Sequence, residues 1–380
     1  MRAFLFSWLL FTITYSHAEI SFLTIADIHF GINNTSGDGK DTDSILFKEA
    51  LNKLTTLSKN VDFILALGDL PTHSFWKTPE KETSLETVFH GLYQADTTAI
   101  PMFFIAGNND SLNGNYQPFS SPAKSPLTLA HDWQGACVYC EALLIDGSHM
   151  EDKGYYSSYV IPGNKDIILI ALNSIPFSKT PFFLPKYPNQ DKDAIAELQW
   201  LEQELQTHSA KQLLIAMHIP PGHHYNGKPI WYDLYLNQFI NILDHAFPRY
   251  GQISLLTAHT HMDDIRKIEL QNGPPIYAYS TPSISRIHRN NPGIKIFTLN
   301  SNHKIKDYTT YYTLKDAQWG QAHYQAMKDI FNDCLSPTLS HCLNELEGKA
   351  VCLKLNQGRF YGVKSPRVDC SVCELTYPIN

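Results

Sequence analysis

No basic stripe and no arginine-rich segment runs through this sequence, which carries 30 Lys and Arg against 37 Asp and Glu, a net charge of −7. Duplex nucleic acid, which asks for a clustered cationic face, is therefore excluded as the expected partner. A second absence is of any long apolar run after the first residues, so the mature chain is expected to be soluble and without a stable membrane anchor. No internal repeat is evident either, which sets aside solenoid and propeller architectures.

The first residues read as an address rather than as structure. Arg2 precedes an apolar run from Ala3 to Phe11, and Ser16-His17-Ala18 forms a small-residue cleavage site. The run is too short to span a bilayer comfortably, so residues 1–18 are expected to be a signal peptide, with a retained anchor as the alternative. Its removal deletes Arg2 and no acid, taking the charge to −8. The mature protein is then secreted or periplasmic, where disulfides are the default. Cys137, Cys140, Cys334, Cys342, Cys352, Cys370 and Cys373 make an odd number, so at least one thiol stays free or pairs outside the chain. Spacing does not give the connectivity.

Hydrophobic patterning alternates strand and helix, the mark of an α/β protein. Residues 20–26, 61–67, 100–106, 213–217 and 253–257 read as strands, and residues 41–59, 80–94, 191–207 and 231–246 as helices. Residues 111–125, rich in Ser, Pro, Asn and Gly, form a long irregular loop of the kind that rims sites. After Leu314 the pattern shifts to short helical pieces with five cysteines. The expected organisation is a signal peptide (1–18), a catalytic domain (19–313) and a cysteine-bearing subdomain (314–380).

Five polar motifs follow these apolar runs: Asp27-Ile28-His29, Gly68-Asp69, Gly107-Asn108-Asn109-Asp110, His218 in Met217-His218-Ile219-Pro220-Pro221-Gly222, and His259-Thr260-His261. Open α/β sheets place ligand sites in loops beyond the carboxyl ends of their strands, so the five are expected to converge. They supply two carboxylates, one amide and four imidazoles. Nitrogen and oxygen donors without sulfur suit zinc first, with manganese or iron as alternatives, over calcium or magnesium. Asp69, on the permissive turn at Gly68, is the natural bridge between two ions. Two metals about 3.5–4 Å apart can activate a bridging water and clamp an in-line displacement at phosphorus.

The set resembles the calcineurin-like metallophosphoesterases, whose pattern is D-x-H, G-D, G-N-H-[DE], H and G-H-x-H. Finer features are similar to the acid-sphingomyelinase-like phosphodiesterases: Gly68-Asp69-Leu70-Pro71-Thr72-His73, His218-Ile219-Pro220-Pro221-Gly222-His223, and His259-Thr260-His261-Met262-Asp263. Thr281-Pro282-Ser283 and Asn291-Pro292-Gly293 resemble a late signature of that group. The resemblance implies a four-layer α/β/β/α sandwich with a small, mainly helical, cysteine-bearing tail. It also implies one metal site of Asp27, His29, Asp69 and His261, a second of Asp69, Asn108, His218 and His259, and a phosphoric ester or anhydride as substrate. His73 would face the leaving group as the candidate general acid.

One departure matters most. Asn109 stands where the family has a histidine, in a Gly-Asn-Asn-Asp form that resembles the endopolyphosphatase branch. An amide cannot act as a general acid, so Asn109 is expected to donate to a phosphoryl oxygen or to shape its loop. Ala258 also replaces the glycine before His259. No saposin-like segment precedes Asp27, which favours soluble nucleotide-like or polyphosphate substrates over sphingomyelin drawn from a membrane. Loss of catalysis, leaving a metal- and phosphate-binding protein, is the contrasting expectation. His223 is a candidate for the site mouth, Tyr155 and Tyr156 are expected to pack, and Asn33, Asn34 and Asn109 each begin a glycosylation sequon.

Overall fold

The computed structural model describes residues 19–35, 37–74, 78–122, 124–181, 184–224, 227–314, 319–320, 322–346, 350–351, 353–354 and 378–379. The expected signal peptide and Cys352, Cys370 and Cys373 lie outside the described residues.

The chain opens with β1 (Ile20–Ile25), α1 (Ser44–Ser58), β2 (Phe63–Ala66), α2 (Thr78–Ala95) and β3 (Met102–Phe104). A long loop leads to β4 (Cys137–Val138), β5 (Leu144–Asp146), β6 (Tyr156–Ile161) and β7 (Asn164–Leu172). Next come α3 (Gln190–Thr207), β8 (Ala210–Met217), α4 (Asp233–Ala246) and β9 (Tyr250–Thr257). Then β10 (Ile265–Ile268), β11 (Ile276–Ser280), β12 (Gly293–Leu299) and β13 (Ile305–Tyr312) follow. The tail adds β14 (His323–Gln325), α5 (Leu339–Glu345) and β15 (Pro378–Ile379).

These strands build two mixed sheets, in the orders β14-β13-β12-β1-β2-β3-β4 and β15-β10-β11-β9-β8-β7-β6-β5. Strands β2 (FILA) and β3 (MFF) are wholly apolar and buried, as strands covered on both faces are. In β7, Ile167, Leu169 and Ala171 belong to the core that also holds Phe22, Leu23 and Phe63 of the first sheet. Their neighbours Ile168, Ile170 and Leu172 share a second core with Leu198 and Leu201 of α3 and with Phe239 and Leu243 of α4. A side-chain period of two thus sorts one strand between two layers. Leu46, Phe47, Ala50 and Leu54 of α1 and Leu85, Val88, Phe89 and Leu92 of α2 pack into the first core. The four-layer sandwich is the result, and each buried Leu, Ile, Val or Phe among these contributes roughly 1.5–3 kcal/mol of transfer free energy.

Local chemistry sets the helix limits. Asp43 caps α1 by accepting from Leu46 N at 2.8 Å. At α4 the helix starts at Asp233 rather than at 231, because Trp231 is fully buried and forms a β-bridge to Ser178. Beyond residue 313, short helical pieces alternate with strand: β14 pairs with β13, and Leu339, Cys342 and Leu343 enter the first core. Disulfides join Cys137 to Cys140 and Cys334 to Cys342.

β1, β2 and β3 run parallel, as do β7, β8 and β9, so each group delivers its following loops to one edge of its sheet. The two edges meet. His218, directly after β8, places Nδ1 2.6 Å from the carbonyl of Leu67, directly after β2.

Candidate metal centre

The loops that meet here are backbone-strained in a consistent way. Asp27, His29, Asp69, His259 and His261 all take left-handed φ angles, between 46° and 67°. Residues with a Cβ rarely adopt this region, and such strain persists only where the surroundings over-determine it. Gly68 and Gly107 permit the closest approach: a Cβ on Gly68 would lie 2.5 Å from Gly107 N, and one on Gly107 would lie 2.3 Å from Asp69 N. Asp110 then locks the junction. Its carboxylate accepts from Gly107 N at 2.6 Å, Asp69 N at 2.9 Å and Leu70 N at 2.8 Å.

Side chains from the five motifs point inward from this frame. Nε2 of His29 lies 3.6 Å from Asp27 Oδ1 and 3.6 Å from Asp69 Oδ2. Nε2 of His218 lies 3.7 Å and 3.3 Å from the same two oxygens, and Nε2 of His261 lies 3.4 Å from Asp27 Oδ1. Asp27, His29 and Asp69 form one cluster of donor atoms, and Asp69, His218 and His259 form another, with Asp69 shared. His29, His73 and His261 form a third grouping at the outer side.

The donors fit a pair of divalent ions on an observation about the protein alone. Asp27 Oδ1, His29 Nε2, Asn108 Oδ1 and His218 Nε2 are buried and have no hydrogen-bond partner among the described residues. Buried polar atoms without partners are costly, and a cluster of them from three chemical classes is what a coordination set requires. The remaining atoms of the same side chains are occupied. His29 Nδ1 meets Pro71 O at 3.1 Å and His218 Nδ1 meets Leu67 O, contacts that put the proton of the neutral ring on Nδ1 and its lone pair on Nε2. Asn108 donates from Nδ2 to Asn115 Oδ1 at 2.9 Å, which directs its oxygen inward. Asp27 Oδ2 accepts from His259 N at 3.1 Å.

Electrostatics agree with a cation-seeking site. Burial disfavours charge on His29, yet Asp27, Asp69 and Asp41 outweigh it and raise its pKa to about 9. His218 behaves likewise: burial opposes, Asp69 and Asp27 prevail, and the value rises to about 10. Burial raises Asp69, but His218 and His29 more than reverse this and hold its carboxyl below the usual range. His259 and His261, buried and crowded by other imidazoles, are pushed well below 6.5.

His73 stands at the mouth. Its side chain is 36% exposed, its ring stacks on His29 with centroids 3.8 Å apart, and its Nδ1 lies 2.8 Å from Asp41 Oδ1. Asn109 turns the other way, into the floor. Its backbone N donates to Asp69 Oδ1 at 2.7 Å and its Nδ2 to Asp69 Oδ2 at 2.8 Å, so it braces the shared carboxylate. With 1% of its surface exposed, Asn109 is closed to a glycan, whereas Asn33 is exposed. His224, which no motif singled out, faces the site, with its ring 6.1 Å from that of His259. Tyr155 packs on His149 and Trp200, and Tyr156 donates to Phe104 O.

Several residues of the site gave little or no warning in the sequence. Asp41, Tyr116 and His288 lie outside the motifs, and Asp110 is read there only as a motif letter. Tyr116 OH sits 3.3 Å from His259 Nε2, and the His288 ring sits 4.6 Å from that of His261. The one available signal for Tyr116 was its place in a long polar loop directly after a strand-end motif.

Motifs, fold and paired donor clusters define a metallophosphoesterase architecture. The sequence profile of the calcineurin-like phosphoesterases matches residues 20–263, and the chain belongs to that family. It is 26% identical over 278 residues to sphingomyelin phosphodiesterase 1 of Caenorhabditis elegans, covering 69% of this chain and 46% of that protein. Similarity to sphingomyelin phosphodiesterase A of Dictyostelium discoideum is 26% over 308 residues, covering 75% and 48%. The chain thus spans about half the length of the curated relatives it matches. Among solved structures, a dimetal phosphatase from Danio rerio shares the fold, with a TM-score of 0.50 and 14% identity, over 80% of this chain and 98% of that one.

Proposed function

We propose that this protein is an exported dimetal hydrolase of phosphoric esters or anhydrides, acting on soluble nucleotide-like or polyphosphate substrates. The observation that carries the reading is the convergence of partnerless imidazole, amide and carboxylate atoms on Asp27 and Asp69. Asp27, His29, Asp69 and His261 would hold one ion, and Asp69, Asn108, His218 and His259 the other, with zinc first and manganese or iron as alternatives. When bound, such ions supply an activated water and neutralise charge at phosphorus.

The chain's own residues do the rest. Carbonyls of Pro71 and Leu67 aim His29 and His218. Asn109 and Asp110 hold Asp69 and its backbone, and His73 at the mouth gives a proton to the leaving oxygen. Residues 1–18 serve as the export signal, residues 19–313 as the catalytic domain and residues 314–380 as the cysteine-bearing subdomain. No helix among the described residues is long and apolar enough to cross a membrane.

Purified protein incubated with bis-p-nitrophenyl phosphate should show turnover that a chelator abolishes and added zinc restores. Absence of metal-dependent turnover across acidic and neutral pH would leave the contrasting reading, a metal-bound phosphate-binding protein. A second substrate reading, sphingomyelin-type headgroups, is favoured by the names of the relatives. A panel of nucleotides, polyphosphate and sphingomyelin decides between the two.

A further inference from the structure

We infer that Asp41 is the positioning residue of His73, fixing which ring nitrogen meets the leaving group; the inference rests on the phosphohydrolase reading above. Four hydrogen bonds converge on this one carboxylate. His73 N donates to Oδ2 at 2.8 Å, Thr72 Oγ1 donates to Oδ2 at 2.9 Å, and Ser285 Oγ donates to Oδ1 at 3.0 Å. The fourth comes from the ring itself: His73 Nδ1 lies 2.8 Å from Oδ1 and 3.0 Å from Oδ2. Three of the bonds tie loops to the carboxylate. The fourth acts on the imidazole alone.

Two constraints then determine the ring. Stacking on His29, with an interplanar angle of 22°, sets its plane, and the bond to Asp41 sets its rotation within that plane. A carboxylate accepts only, so Nδ1 carries a proton and Nε2 is the nitrogen that acts on substrate. Asp41 is in turn tied to the floor of the site. The next residue, Thr42, donates from N to His29 O at 3.2 Å and accepts at O from Gly31 N at 3.1 Å. The distance between the proton donor and the His29 side of the metal pair is therefore built into one short stretch of paired backbone.

In the step assigned to this unit, a water oxygen bonds to phosphorus and gives up a proton to solvent, while the P–O bond to the leaving group breaks with its electron pair moving to the leaving oxygen. That oxygen takes the proton from His73 Nε2. The imidazole left behind is neutral and keeps its Nδ1 proton on Asp41, ready to be reprotonated at Nε2 from solvent.

Two measurements test the assignment on the zinc-loaded full chain. Long-range proton–nitrogen NMR of histidine-labelled protein, with His73 identified by its loss in His73→Ala, should show the Nδ1-protonated form whenever the ring is neutral. Asp41→Ala should shift neutral His73 to a tautomer mixture, and an unchanged tautomer would overturn the inference. Kinetically, Asp41→Ala should lower kcat for diphenyl phosphate by about 10–100-fold. Loss on bis-p-nitrophenyl phosphate, whose leaving group needs little protonation, should be several-fold smaller, with KM and zinc content unchanged. No further loss should appear when Asp41→Ala is added to His73→Ala. Equal losses on the two esters, or additive losses in the double variant, would equally overturn it. Asp41→Asn, nearly isosteric, is the second variant should the alanine form fail to fold. A wild type inactive on both esters would count against the phosphohydrolase reading, while the tautomer measurement would still decide the role of Asp41.

Discussion

The floor of the site and its mouth are built on different principles. The floor, from Asp27 to His261, is buried, held in left-handed backbone and braced by Asp110 and Asn109. The mouth carries His73, over a third exposed and kept in place by a stacked ring and one carboxylate. Redundant support suits ligands that must not move, since a displaced donor forfeits an ion. Exposure suits a proton donor that must meet substrates and water. Variation at the floor should therefore abolish function, and variation at the mouth should tune it.

The largest effect expected is at Asp69, the carboxylate common to two donor clusters. Asp69→Ala should empty both ion positions by elemental analysis and lower turnover by more than about 10³-fold, beyond what one lost transition-state donor costs. Retention of two equivalents of metal would contradict the shared role. His73→Ala should lower turnover by about 10²–10⁴-fold while leaving metal content at the wild-type level. Metal loss in that variant would move His73 from the mouth to the floor.

Smaller effects probe the braces. Asp110→Ala strips three buried N–H groups of their acceptor and should cost about 2–5 kcal/mol in chemical denaturation. A stability within about 0.5 kcal/mol of wild type would show that the junction is held by something else. Asn109→Ala should weaken metal affinity by about 10–100-fold in competition with a chromophoric chelator, with folding intact. Unchanged affinity would return Asn109 to the mouth as a substrate contact.

The mildest test is of pH. In chelator-treated protein, His29 and His218 hold protons more tightly folded than unfolded, with values of about 9 and 10 against 6.5. Their contribution to stability is complete below pH 6.5 and is lost as pH rises toward 9 to 10. Thermal melting of the metal-free protein should therefore decline over that interval. In metal-loaded protein these groups should act in reverse, because ions must displace the same protons. Parallel pH dependence in the two forms would sink the assignment of these imidazoles as ligands.

Much of the floor was legible because ligand chemistry is tied to strand ends. Asp27, Asp69, His218 and His259 each follow an apolar run by zero to two residues, and parallel pairing carries such loops to one edge. The mouth was less legible. Asp41 reads in sequence as one more acid before a helix, and only pairing of Thr42 with His29 and Gly31 brings it to His73. Asn109 stood out as a departure, yet its letter does not say whether the amide faces substrate or Asp69. That orientation depends on how closely Gly107 lets two loops approach.

The sequence by itself determined the alternation of strand and helix, the strand-end loops and the donor types, since side-chain periodicity and backbone permissiveness are local properties. Tertiary structure alone decided which nitrogen of His29, His218 and His73 is engaged, which way the Asn109 amide turns and which acid holds His73. Those are contacts between segments as many as 244 residues apart, as from Ser285 to Asp41, and their geometry exists only once both sheets have packed.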